Sequence, residues 1–155
     1  MVNPDEKVVI VIDRDNRSRY DNRDTLKREG FFTICSDNLC TAKQYCAKYY
    51  PDLLLIGDGF SIDSLKEFCQ KIKFSRPKTK IVISTSLFEI SFLNLYLKNL
   101  IDDFLQPPYS RIELIARIQK LLLIIPEDSY IRFHNLKLNV KCKKLLMKDL
   151  IPLVN

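Results

Sequence analysis

Short apolar runs, separated by stretches of helical length, constrain this chain more than any other feature. Val8–Ile12, residues 52–56 and residues 80–83 are continuous runs of the kind that forms a strand buried on both faces of a sheet. Residues 31–35 and 101–105 are weaker candidates for strands. Because strands and helices alternate strictly, the pattern predicts right-handed crossovers, an α/β fold and a five-stranded, doubly wound parallel sheet.

The ends of the intervening stretches carry helix signals. Gly30 suits the position after a first helix, Pro51 follows the end of a second, and Ser110 forms a capping box with Glu113 at the start of the last. The predicted helices cover residues 17–29, 39–49, 62–74, 88–98 and 110–123. In a doubly wound sheet, ligands bind outside the carboxyl ends of the strands. Function is therefore expected in the loops at residues 13–15, 57–60, 84–86 and 106–109.

After Pro126 the pattern changes. Short alternating runs at residues 131–133, 136–140 and 144–147 predict two or three small antiparallel strands. About 25 residues of strand cannot bury enough apolar surface to fold alone. We therefore predict one domain at residues 1–125, followed at residues 126–155 by the beginning of a second module that is cut short.

The net charge of +6 raises the question of an anionic partner. Residues 1–126 and residues 127–155 each carry a net charge of +3, so the shorter tail is the denser in positive charge. A merely solvated basic surface is the favoured interpretation, and weak, salt-sensitive attraction of nucleic acid is the alternative. The tail lysines concerned are Lys137, Lys141, Lys143, Lys144 and Lys148.

Residue types that support metal binding or common catalytic chemistry are scarce. Cysteines are odd in number and form no CxxC pair, and His134 has no partner at ligand spacing, so we expect reduced thiols and no metal site. Only three glycines are present, which excludes glycine-rich nucleotide loops, and no GxSxG motif occurs. No window approaches the ~18 apolar residues of a membrane-spanning helix. We expect neither an enzyme nor a membrane protein. The cysteines are Cys35, Cys40, Cys46, Cys69 and Cys142.

Acidic side chains do follow two of the predicted strands. Asp13 and Asp15 come after the first strand, and Asp58 comes after the third. Carboxylates that converge on one crevice could hold Mg²⁺. However, Arg14 stands between the first two acids and Gly57 occupies the last strand position. Helix capping by these acids is the equally weighted alternative.

At these positions the chain resembles the receiver domain of two-component response regulators, which has the CheY-like fold. The resemblance covers about residues 7–123, and the tail resembles the opening strands of the winged-helix domain in OmpR-type transcriptional regulators. The most specific match is the fifth strand, its proline turn and the final helix. The matching segments are residues 7–15, Gly30-Phe31, residues 51–56, Asp102-Asp103-Phe104, Pro108-Tyr109-Ser110, Glu113-Leu114 and Ala116-Arg117-Ile118.

The resemblance also implies a phosphorylation site, and this chain departs from it. Family members phosphorylate an aspartate after strand three, hold Mg²⁺ with two acids after strand one, and contact the phosphoryl group through a Ser or Thr and a Lys. The phosphoacceptor position falls on Gly57. The two acids fall on Asp13 and Arg14, the Ser/Thr position on Thr85, and the Lys position on Pro107, or on Gln106 if the turn is shifted.

These departures predict a pseudo-receiver that is not phosphorylated and binds no Mg²⁺, because nucleophile and cation are both missing. Asp58 could accept a phosphoryl group only if a bulge re-aims it, since neighbouring strand residues point to opposite faces. A phosphorylatable receiver that uses Asp58 is therefore the alternative function. A decayed product without activity is a third interpretation.

Resemblance also implies partners. OmpR-type receivers pair through the face of helix four, strand five and helix five, so homodimerisation through that face is expected. Its charged residues would be Asp102, Asp103, Glu113 and Arg117, with Phe104 as the switch aromatic. An intramolecular set of ion pairs is the alternative role of these charges. A histidine kinase is the expected partner in the phosphorelay, and specific DNA binding is not expected without a recognition helix. The amino-acid usage suggests an AT-rich genome, and hence the bacterial cytoplasm or a plastid stroma.

Overall fold

The computed structural model describes residues 5–86 and 90–124, and five parallel strands form the centre of this part of the chain. They are β1 (Val8–Ile12), β2 (Phe32–Ser36), β3 (Leu53–Ile56), β4 (Lys80–Ser84) and β5 (Asp103–Leu105). Their order in the sheet is β2-β1-β3-β4-β5, and every neighbouring pair is parallel. The predicted doubly wound α/β fold is confirmed.

A helix follows each strand. The helices are α1 (Asn16–Arg28), α2 (Leu39–Tyr49), α3 (Ile62–Ser75), α4 (Ile90–Leu97) and α5 (Arg111–Leu121). Short polar side chains accept a backbone N–H at four of the amino ends, which satisfies donors that have no partner inside a helix. Those caps are Asp15, Asn38, Ser61 and Ser110.

The sheet is buried on both sides. Ile10 and Ile12 belong to a cluster with buried residues of α2, α3 and α4, whereas Leu26 of α1 and Ile118 of α5 are buried outside that cluster. All five residues of β1 are buried, as are all four of β3, because these strands lie inside the sheet and carry helices on both faces. This explains why their sequences are continuously apolar instead of alternating.

The predicted boundaries were close, with local differences. α2 matches its prediction, and Gly30 follows α1 with a φ of +90°, as the helix-ending signal predicts. β5 begins two residues later than predicted, because the Asp102 side chain leaves the strand to bind a backbone N–H of β4. The first residues of the predicted fourth helix, His134, Cys142, the tail lysines and the predicted second module at 126–155 all lie outside the described residues.

Candidate functional site

Asp13 and Gly57 lie side by side at the carboxyl ends of β1 and β3. The register pairs Ile12 with Ile56, and Gly57 N–H donates to the carbonyl of Ile12 over 2.8 Å, so the next residues of the two strands are neighbours. A Cβ atom built on Gly57 would lie 2.3 Å from Asp13 Oδ2 and 2.5 Å from Asp13 Cγ. The Asp13 carboxylate therefore fills the space that any side chain at position 57 would need.

Several bonds hold Asp13 in this place. Asp13 Oδ1 accepts the N–H of Asp15 over 2.9 Å, and Arg19 donates to the Asp13 carbonyl over 2.7 Å. The residue is only 4% exposed. This burial raises the pKa of the Asp13 carboxyl above its usual value, against the opposing effects of the hydrogen bonds from Asp15 and Ser18. The β1–α1 loop thus supplies a buried carboxylate that already accepts a hydrogen bond from the backbone of the same loop.

Arg14, the residue that replaces the second acid, lies across the neighbouring loop. Its aliphatic carbons are 3.0 to 3.3 Å from where a Cβ on Gly59 would be, and its guanidinium carbon is 5.2 Å from the centroid of the Phe60 ring. Gly59 has a φ of +103°, a conformation that side-chain-bearing residues rarely adopt. Two glycines of the β3–α3 loop therefore accommodate two consecutive side chains of the β1–α1 loop.

Asp58 points away from Gly57 and toward the loop after β4. Its Oδ2 accepts the backbone N–H of Ser86 over 3.2 Å and the Ser86 hydroxyl over 3.1 Å, and the residue is exposed. Its charge is near enough to contribute to the raised pKa of Asp13. The structure thus brings Asp58 to the rim of the crevice, and the carboxylate beside Gly57 is that of Asp13.

Thr85 and Pro107 border the same end of the sheet. Thr85 is buried directly after β4, where its N–H donates to the carbonyl of Leu105 over 3.0 Å. Pro107 is joined to Pro108 by a cis peptide bond, and neither it nor the exposed Gln106 carries a cation. These positions offer a hydroxyl group but no ammonium group.

A polar network beyond the proline turn was not predicted. The Tyr109 hydroxyl accepts from Asn22 Nδ2 of α1 over 3.0 Å and lies 3.4 Å from the hydroxyl of Ser84. It forms the floor of a groove of about 420 Å³ between α1 and the start of α5. The sequence placed Tyr109 in the correct loop, whereas Ser84, predicted in a loop, is the last residue of β4. The partner Asn22 lies 87 residues from Tyr109 and had no local signal.

The carboxylates do not fit the magnesium site that the resemblance implies. Two of the three positions that would supply carboxylates hold Gly57 and Arg14, and the guanidinium of Arg14, which lies over the Phe60 ring, would repel a divalent metal ion. Within residues 5–86 and 90–124, no group of three or more His, Cys, Asp or Glu side chains could hold a metal ion. Asp15 is the N-cap of α1, where its carboxylate accepts the N–H of Ser18 over 2.9 Å. Capping, the alternative role for these acids, is thus what Asp15 does.

The four charges expected on the pairing face separate into two places. Arg117 Nη1 donates to both oxygens of Asp103, over 3.0 and 3.1 Å, and Arg117 Nε lies 3.5 Å from Glu113. The hydrogen bond that Arg117 donates to Asp103 raises the pKa of Arg117. Asp102, by contrast, binds Lys73 of α3 over 2.6 Å and accepts the N–H of Ile81. Three of the four residues form an intramolecular cluster, and Asp102 is not part of it.

Phe104 lies against α4. Its ring centroid is 6.4 Å from that of Phe92, in an edge-to-face arrangement, and 5.9 Å from that of Tyr96. Helix α4 carries no charged residue, and its exposed surface is mostly apolar, with Asn94 as its exposed polar side chain. Exposed apolar side chains on this one helix are Ile90, Leu93, Tyr96 and Leu97. Because large apolar patches on a protein surface mark contact sites, α4 is a candidate contact surface.

Of the comparisons with known proteins, the one with solved structures supports the fold. No protein-family model matches the chain, and no curated protein is similar to it. Among solved structures, it is similar to a response regulator from Thermotoga maritima, at 20% identity and a TM-score of 0.68 over 76% of this chain and 98% of that one.

A two-component response regulator from Clostridium difficile gives 21% identity and a TM-score of 0.68 over 76% of this chain and 96% of that one. An orphan response regulator of H. pylori gives 19% identity and a TM-score of 0.65 over 75% of this chain and 96% of that one. The described part of the chain therefore has the fold of response-regulator receiver domains.

None of the helices in the described ranges has the length and apolar character needed to cross a membrane.

Proposed function

We propose that this chain is a degenerate two-component response regulator whose receiver domain is not phosphorylated and acts through protein contact. The observation that carries the proposal is the Asp13 carboxylate, which occupies the space of a side chain at position 57. Gly57 offers no nucleophile, and the neighbouring carboxylate is buried and bonded to the N–H of Asp15. Phosphoryl transfer needs an attacking oxygen in line with the donor, and this crevice presents none.

Charge supports the same proposal. A transferred phosphoryl group needs cations beside its oxygens, usually a metal ion and a basic side chain. Pro107 supplies no cation, and the guanidinium of Arg14 lies over the Phe60 ring. Arg14 would also repel a divalent metal ion. The protein is therefore proposed to need no metal, to bind no Mg²⁺ and to catalyse no reaction.

Incubation with acetyl phosphate and Mg²⁺, followed by intact-mass measurement, tests the proposal. The expected result is no phosphoryl adduct on the chain. The matched control is Asp58→Asn, which removes the exposed carboxylate directly after Gly57. A stoichiometric adduct that disappears in Asp58→Asn would overturn the proposal and establish Asp58 as the acceptor.

The contact that we propose is homodimerisation through the face formed by α4, β5 and α5. Leu93 and Leu97 of α4 are 39% and 67% exposed, and the cluster around Arg117 supplies charges of both signs. Interfaces of this kind combine an apolar centre with a polar rim. Sedimentation at tens of micromolar should show a dimer that Leu97→Glu and Arg117→Glu both weaken. A monomer that neither substitution affects would remove this part of the proposal.

The finer assignment rests on the resemblance in sequence. The segment from Asp102 through Ile118 supports a place among OmpR-type transcriptional regulators, with a histidine kinase as upstream partner and the bacterial cytoplasm or plastid stroma as the compartment. Specific DNA binding is not part of the proposal. Recovery of the neighbouring coding sequence is the direct test, because a winged-helix domain encoded there would establish a role in transcription.

A further inference from the structure

The positive charge of the described residues is concentrated in one short segment. Residues 71–80 read KIKFSRPKTK, with five basic residues and no acidic one, whereas the whole chain has a net charge of +6. The segment forms the end of α3, the loop that follows and the first residue of β4. It lies at the amino ends of the strands, away from the Asp13 crevice. Its basic residues are Lys71, Lys73, Arg76, Lys78 and Lys80.

Two of these charges are already paired. Lys71 lies 2.9 Å from Glu67, and Lys73 lies 2.6 Å from Asp102. The other three, Arg76, Lys78 and Lys80, form no salt bridge within the described part of the chain. Three uncompensated cations thus lie within five residues of one another.

A groove of about 390 Å³ is lined by two of these cations, Arg76 and Lys78, whereas Lys80 and Phe74 lie beside it in the sequence and do not line it. Tyr50, Arg76, Pro77 and Lys78 contribute to its walls. The single acid in the groove, Asp52, accepts the N–H of Val8 over 2.7 Å, so its carboxylate is bonded to the neighbouring strand. The groove is therefore positively charged on balance.

Exposed aromatic rings accompany the charge. Phe74, on the last turn of α3, is 92% exposed and is the most exposed large apolar residue of the described chain. Tyr50 is 67% exposed, and the Arg76 guanidinium lies 4.0 Å from the centroid of its ring. An exposed ring between cations gains little for the fold, but such rings stack on the bases of a nucleic acid.

We propose that this patch of Phe74, Tyr50, Arg76, Lys78 and Lys80 binds single-stranded nucleic acid without sequence preference. Phosphates contact the three cations, and unstacked bases stack on the aromatic rings. An acidic peptide would satisfy the cations but give Phe74 no partner, whereas a base has a flat face for it. The proposal is independent of the phosphorylation state and of the dimer.

Fluorescence anisotropy of a labelled 15-nucleotide oligo-dT with the full chain tests the proposal. Three phosphate contacts predict that affinity falls roughly 20-fold between 50 and 200 mM salt. Lys78→Glu should weaken binding and make the loss of affinity with salt shallower, because one phosphate contact fewer remains. Phe74→Ala should weaken binding by about fivefold or more. The matched controls are Lys120→Glu and Ile112→Ala on α5, where a lysine and an 82% exposed apolar residue should matter little.

Three results would overturn the proposal. One is a loss of affinity for oligo-dT that is equal in the patch variants and the α5 controls, or that occurs only when tail lysines such as Lys137 and Lys144 are replaced by glutamate. Another is a duplex that binds as tightly as the single strand, since its bases cannot stack on Phe74. The third is a polyglutamate peptide of equal charge that competes as well as oligo-dT, which would assign the patch to acidic proteins. Circular dichroism of each variant establishes that it is folded.

Discussion

Replacement of Gly57 by alanine tests the central feature of the crevice. The added methyl carbon would lie 2.3 Å from Asp13 Oδ2, far inside van der Waals contact, so one of the two residues must move. Asp13 cannot swing away freely, because it is 4% exposed and its Oδ1 holds the N–H of Asp15. The substitution should therefore destabilise the fold, although replacing glycine by alanine normally stabilises a protein by restricting the unfolded chain.

The magnitude follows from two opposing effects. Overpacking a close-packed site costs about 1–3 kcal/mol, and alanine in place of glycine recovers about 0.4–1 kcal/mol by restricting the unfolded chain. We expect Gly57→Ala to lower the free energy of unfolding by about 1–2 kcal/mol. In an Asp13→Ala background the carboxylate is gone, so the same substitution should cost nothing or stabilise the fold. The double-mutant cycle should give a coupling energy of about 1–3 kcal/mol.

Urea unfolding followed by circular dichroism measures all four proteins of the cycle. The midpoint should shift at constant m-value, because the surface exposed on unfolding is unchanged. Gly30→Ala is the matched control, since Gly30 has nothing within 4 Å of a Cβ but has a φ of +90°. Its cost should be the same with and without Asp13. Additive effects of Gly57→Ala and Asp13→Ala would show that the carboxylate does not fill this space, and the reasoning on phosphorylation would lose its basis.

Three further substitutions test single contacts. Asp13→Asn keeps the acceptor for the Asp15 N–H but cannot ionise. Because burial raises the Asp13 pKa, ionisation of Asp13 should lower the free energy of unfolding of the wild type as pH rises above 3.8. The variant should therefore be the more stable protein at pH 7, and this difference should vanish in urea titrations at lower pH. Asp102→Ala leaves the N–H of Ile81 without an acceptor and removes the carboxylate partner of Lys73, which keeps only the Thr79 carbonyl; it should cost about 2–3 kcal/mol by urea unfolding, and no change would contradict this role. Tyr109→Phe removes the hydrogen bond with Asn22 and should cost about 1 kcal/mol, whereas an unchanged unfolding midpoint would show that this network does not support α1.

The sequence predicted most of the fold because its signals are local. β1 and β3 were found from their continuous apolar runs, since a strand buried on both faces cannot contain polar residues. α5 was found from its capping box and apolar spacing, and Ser110 indeed accepts the N–H of Glu113 over 3.0 Å. The predicted start of β5 was wrong by two residues, because the Asp102 side chain binds the backbone N–H of Ile81, which lies 21 residues away in β4.

The candidate site was predicted in its membership but not in its contacts. Strand ends place Asp13, Arg14, Gly57 and Thr85 at one edge of the sheet, as the alternation of strands and helices requires. The sequence did not predict that the Asp13 carboxylate lies beside Gly57 while the Asp58 carboxylate binds Ser86, because the path of the loop after β3 decides this. The basic segment at residues 71–80 was not singled out from the sequence alone, and its division into paired and unpaired cations depends on Glu67 and Asp102.

The sequence by itself determined the parallel α/β sheet, the order of its elements along the chain and the absence of a side chain at position 57, because periodicity and residue identity are properties of neighbouring residues. Only the tertiary structure decided that Asp13 fills the space at Gly57, that Arg14 lies over Gly59, and that Asp103 neutralises Arg117. These contacts join residues from separate strands and helices, and their distances depend on the register and twist of the assembled sheet. Side-chain packing across the sheet, which no local pattern records, therefore determines what the crevice can bind.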